Sequence, residues 1–134
     1  MIFTDRFTLS TESLQQAAVA ALEDIKAKDI TVLDVSHLTS LFDCMIVASA
    51  DSTRQTKALS NHLREKIKAL GAPILGVEGE QNGEWILIDL GDVVVHIMQP
   101  AVRQYYNLEE LWGGEPALAR RPAFLPLYGS ALSG

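Results

Sequence analysis

The chain has 134 residues, 48% of them hydrophobic and 21% charged, a balance that excludes disorder and lets one domain bury an ordinary core. Eleven basic against seventeen acidic residues leave a net charge of −6, which disfavours a general nucleic-acid binder. No run nears the roughly 18 apolar residues of a membrane span, no secretory or organelle address is expected in the chain as given, and the lone Cys44 forms no internal disulfide, so a cytoplasmic protein is expected.

The spacing of Leu14, Ala18, Ala21, Leu22 and Ile25 predicts a helix over Ser13–Lys28. The β-branched run that follows predicts a strand from Ile30 to Val35, and Thr39–Asp43 a connector. Cys44–Ser49 is apolar on both faces, as befits a strand inside a sheet that is covered on both sides. Ser52 and Gln55 fit a capping box, in which each side chain satisfies the other residue's backbone N–H. The helix they open places Thr56, Leu59, Leu63, Ile67 and Leu70 on one stripe, and Gly71 followed by Pro73 ends it.

Ile74–Glu78 reads as a short strand and Gln81–Glu84 as a hairpin turn. For the next hairpin, a Gly91-Asp92 loop sets Leu90 opposite Val93, Ile88 opposite Val95 and Ile86 opposite Ile97. A slip of one residue would mix core and non-core side chains, so the pattern selects this register. The second face then gathers Trp85, Leu87, Asp89, Val94, His96 and Met98. Pro100 suits a first helical turn, and Ala101–Tyr106 with Asn107–Trp112 reads as one broken helix or two short ones. Residues 1–112 are expected to form the domain, and residues 113–134 a tail that is weakly ordered or packs only through Phe124, Leu125 and Tyr128.

Spacing offers little to catalysis or cofactors. His37, His62, His96 and Cys44 show no paired metal-ligand spacing. Neither a nucleophile elbow nor a phosphate-binding glycine motif occurs, and Cys44 lies in an apolar strand where its thiol would be inert. Asp34, Asp43, Asp89 and Asp92 form no D-x-D pair of the kind that shares two metal ions. Asp43 suits either a turn or a partner contact. Charge is unevenly spread. Arg54, Lys57, Arg64, Lys66 and Lys68 cluster against Glu65, whereas seven acidic residues lie between Glu78 and Glu110 against Arg103 alone. Such a separation either steers a basic partner or simply solvates two faces.

In order and spacing, DCMIVASADSTRQTKALSNHL, Glu78-Gly79, W-x-x-x-D-x-G-D-x-x-x-H from Trp85 to His96, and R-x-x-Y-x-L-E-x-L-W from Arg103 to Trp112 resemble the ribosomal silencing factor (Iojap-like) family. The likeness covers residues 13 to 112. It implies an α/β domain with a mixed sheet flanked by helices, similar to a nucleotidyltransferase fold without the catalytic carboxylates. It further implies a non-enzymatic translation repressor that binds the large ribosomal subunit through the basic ribosomal protein numbered fourteen. Blocking the small subunit from joining would then silence translation under nutrient limitation. A homodimer off the ribosome is implied too, with no cofactor, no DNA and no membrane as partner.

The mixed hairpin face is the expected partner site: Trp85, Leu87, Asp89, His96 and Met98, with Glu78 at its edge. Trp85 fits a binding hot spot and ordinary core equally well. Arg103, Tyr106, Glu109 and Trp112 suit a partner contact or a structural one, in which Arg103 pairs with an acidic hairpin residue above Tyr106 and Trp112. Two alternatives stay open: a large-subunit assembly factor using the same surface, and a nucleotidyltransferase-like nucleotide-binding enzyme.

Overall fold

A computed structural model describes residues 9–112; the C-terminal tail, with Phe124, Leu125 and Tyr128, lies outside the described residues. Helix α1 spans Thr11–Asp24, with the Ser10 hydroxyl accepting from the Ser13 N–H at 3.0 Å. It buries Leu14, Ala18, Ala21 and Leu22 as their spacing requires. It stops well short of Lys28. The N–H groups of Lys26 and Ala27 close back on the carbonyls of Glu23 and Leu22, and Lys26 takes φ +61°. This is a helix stop of the kind that glycine usually supplies, here made by a lysine.

The chain then enters β1 (Lys28–Asp34), crosses a connector and forms β2 (Cys44–Ser49), whose six residues are all buried. Helix α2 (Thr53–Ala69) follows, its Ser52 hydroxyl accepting from the Gln55 N–H at 3.1 Å. Gln55 does not complete the box, because its side-chain amide donates across to the Ile25 carbonyl instead. Thr56, Leu59, Leu63 and Ile67 are buried as expected, joined by Ser60. Leu70 leaves the stripe and is half exposed, since the helix ends one residue before it.

Strands β3 (Gly76–Glu78), β4 (Trp85–Asp89) and β5 (Val93–Met98) complete a five-stranded sheet of order β1-β2-β5-β4-β3. The β2–β5 pair is parallel and every other pair is antiparallel. The β4–β5 register matches the expected one, with Ile86 opposite Ile97, Ile88 opposite Val95, and the Leu90 N–H donating to the Val93 carbonyl at 2.9 Å. The β3–β4 connection is longer than the expected four-residue turn, because pairing stops at Glu78 and Leu87. Two short helices follow, α3 (Pro100–Tyr106) and α4 (Leu108–Trp112), separated by Asn107 at φ +50°.

Three layers result. One sheet face carries Ile46, Ala48, Ile86, Ile88, Val93, Val95 and Ile97 against α1 and α2. The other carries Met45, Val47, Leu87, Val94 and Met98 beneath Leu108, Leu111 and Trp112 of α4, with Val35 and Phe42 closing the side. Alternation along each strand feeds both cores, so β2 and β5 are buried throughout.

Candidate functional site

The second sheet face is interior, which corrects its reading as an open docking surface. Leu87, His96 and Met98 have no exposed area, and Trp85 retains 7%. The Trp85 indole N–H donates to His96 Nδ1 at 2.8 Å, and Tyr106 packs against Trp85 with ring centroids 4.9 Å apart and planes tilted by 46°. That hydrogen bond leaves the neutral imidazole proton on Nε2, where no partner is found among the described residues. Burial pushes the His96 pKa down to about 3, so the ring stays neutral. Asp89 sits at the far end of β4, where its carboxylate accepts from the Gly91 N–H at 2.9 Å and shapes the β4–β5 turn.

Arg103 does form an ion pair, but with Glu109 of the next helix and not with the hairpin. Its Nε and Nη2 donate to the two carboxylate oxygens of Glu109 at 3.1 and 2.8 Å. Nη1 also reaches the Ser49 hydroxyl at 2.8 Å, and Nη2 the Thr31 hydroxyl at 3.0 Å. One guanidinium thereby fastens α3 and α4 to β1 and β2. The Arg103 hydrogen bonds hold the Glu109 carboxyl below the usual range. Trp112 packs on Phe42 with centroids 5.5 Å apart.

Exposed positions ring this interior. The loop after β3 runs between the N-terminal end of α2 and helix α3. On its α3 side a groove of about 220 Å³ is lined by Gly79, Asn82, Glu84, Trp85, Val102 and Tyr106. Glu78 and Glu84 are exposed beside it, and Tyr105, 73% exposed, meets Tyr106 edge-on. On its α2 side the loop is held tightly. The Gly83 carbonyl accepts from the Thr56 hydroxyl at 2.6 Å, and a Cβ at Gly83 would stand 2.5 Å from Thr53 Cγ2.

A larger cleft, about 460 Å³, opens at the other end of the sheet between α1 and the strands β1 and β2. Glu12, Asp34 and Asp43 line it, with Thr11, Gln15 and Cys44. Asp43 accepts from the Thr11 hydroxyl at 3.4 Å, and burial pushes the Cys44 thiol up to about 11. The sequence pointed only to Asp43 here. The remaining groups come from three segments, and their meeting has no local signature. Among the described residues no three His, Cys, Asp or Glu side chains are placed to hold a metal ion, and no helix is long and apolar enough to cross a membrane.

These features define a mixed-sheet α/β domain whose unusual side chains build a second core and a polar clamp, with no assembled reaction centre among the described residues. The profile of the family described as "Ribosomal silencing factor during starvation" matches residues 8–125. The chain belongs to that family. It is 56% identical over 107 residues to the ribosomal silencing factor RsfS of Chromobacterium violaceum, covering 80% of this chain and 88% of that one. A crystal structure of a Chromobacterium violaceum protein superposes with a TM-score of 0.78 at 53% identity, covering 86% of this chain and 92% of that one. A mouse protein named for mitochondrial assembly of the ribosomal large subunit is 33% identical over 97 residues, 70% of this chain but only 42% of its own length.

Proposed function

We propose that this chain is a non-enzymatic silencing factor that docks on the large ribosomal subunit and keeps the small subunit from joining. Membership of the silencing-factor family carries this reading. The family resemblance implies the basic ribosomal protein numbered fourteen as the partner, and the charge distribution fits a basic protein, because an acidic body meets cations favourably and avoids broad contact with RNA phosphates. The docking rim we assign is what stays exposed around the expected face: Glu78 and Glu84 for cations, and the Tyr105–Tyr106 edge for apolar area. Leu87, His96 and Met98 contribute indirectly, by fixing the strands beneath that rim. Steric exclusion needs occupancy and bulk alone, with no bond made or broken.

The test is sedimentation of purified subunits with the full chain. Co-migration with the large subunit and a diminished joined-particle peak are expected; no co-migration would overturn the proposal. The mouse relative's name favours a second reading, a factor for large-subunit assembly. Co-migration that leaves joining intact would select it.

A further inference from the structure

The basic cluster on α2 has no part in the docking rim. At about 100° per residue, Arg54, Lys57, Asn61, Arg64 and Lys68 fall within an arc of about 80° and extend about 21 Å along the helix. This stripe lies on the flank of α2 that faces the β3–β4 loop, as the Arg64–Glu80 ion pair shows, and a side chain at Gly83 would point towards Lys57. Arg54, Lys57 and Lys68 form no ion pair among the described residues. Glu65 stands at the margin of the stripe, and the neighbouring Asp51 is already neutralised by Lys28.

Helix stability explains only part of this arrangement. Lys66 and Lys68 in the last turn suit the negative end of the helix dipole. Arg54 is in the first turn, where no acidic residue accompanies it and where the dipole disfavours a cation. Arg54, Lys57 and the free N–H groups of the helix start therefore add to one positive potential. That potential adjoins the acidic rim, since Gly83 of the intervening loop accepts from the Thr56 hydroxyl of α2 and leaves no room for a Cβ beside Thr53.

We propose that the outer stripe of α2, led by Arg54 and Lys57, is a contact surface for RNA phosphates beside the protein docked at the acidic rim. The inference rests on the large-subunit reading above. On a particle where protein and RNA surfaces meet, a chain of net charge −6 needs its few unpaired cations wherever it approaches RNA. A membrane surface fits less well, because the stripe carries no large apolar side chain to insert.

The test compares wild type with Arg54→Glu/Lys57→Glu in large-subunit binding across a salt series, with melting temperature and affinity for the isolated basic ribosomal protein measured alongside. In the variant we expect subunit affinity about ten-fold lower near 0.1 M salt and a log–log salt slope smaller by about 2. Affinity for the isolated protein should hold, and the melting temperature should stay level or rise because a carboxylate now stands at the helix start. Unchanged subunit affinity and slope would overturn the stripe alone. Failure of the wild type to bind subunits would overturn the parent reading and the stripe with it. Binding of the wild type to anionic phospholipid vesicles, lost in the variant while subunit affinity is kept, would replace RNA by a membrane.

Discussion

Trp85 and His96 act as a pair inside the second core, and both can be tested singly. Trp85→Ala should cost about 3–5 kcal/mol, because it removes a buried ring and leaves Nδ1 of His96 without its donor. A urea titration checks this; a change below 1 kcal/mol, on the order of a surface substitution, would contradict the burial. His96 makes acid pH destabilising. Its folded pKa of about 3 lies below its unfolded value near 6.5, so below 6.5 the unfolded chain binds a proton that the native state refuses. Stability should therefore be complete above pH 6.5 and fall by about 1.4 kcal/mol per unit as pH drops towards 3. His96→Gln keeps an acceptor for the indole and does not titrate, so its urea midpoints should decline less over that window. The depressed Glu109 carboxyl has the same sign, with stability lost as pH falls through its folded pKa.

At the scale of elements, Arg103 and Gly83 fix how layers meet. Arg103→Met should loosen α3 and α4 at a cost of about 2 kcal/mol, less than for a fully buried pair because the Glu109 side chain is about one-third exposed. Faster hydrogen exchange in β1 and α4, with α1 unchanged, is the expected signature. Gly83→Ala combines a left-handed φ of +82° with a collision at Thr53, and should lower stability by about 2 kcal/mol or more in thermal melts. The elements themselves were legible where periodicity was strong. The β4–β5 register followed from alternation and from Gly91-Asp92, and the buried β2 from an unbroken apolar run. The cover of the second face was not. Helix α3 buries no residue completely, and α4 is five residues long, so neither carries an apolar stripe that a sequence could display. Sequence alone therefore balances Trp85 between core and partner, and packing decides it. The partner of Arg103 was missed because hairpin and helix carboxylates look alike in sequence, whereas Glu109, six residues on, lies within reach only once Asn107 turns the chain.

For the whole molecule, the sheet order predicts a gradient of local stability. Strands β2, β5 and β4 are paired on both sides and feed two cores, whereas β1 and β3 are edges. Native-state hydrogen exchange should find the slowest amides in β2 and β5 and the fastest strand amides in β3; uniform protection would contradict this hierarchy. The same order has a consequence for biosynthesis. Strand β2 is completed at Ser49, yet its parallel neighbour β5 ends only at Met98. During translation β2 is therefore an almost wholly apolar, half-paired ribbon for about 50 residues of further synthesis, which at some 5–20 residues per second is a matter of seconds. A nascent chain arrested before Val93 has left the exit tunnel should be readily cleaved by protease, and one arrested after Trp112 has emerged should resist. Until β5 emerges the sheet cannot close, and β2 offers its apolar side chains to whatever surrounds the tunnel mouth.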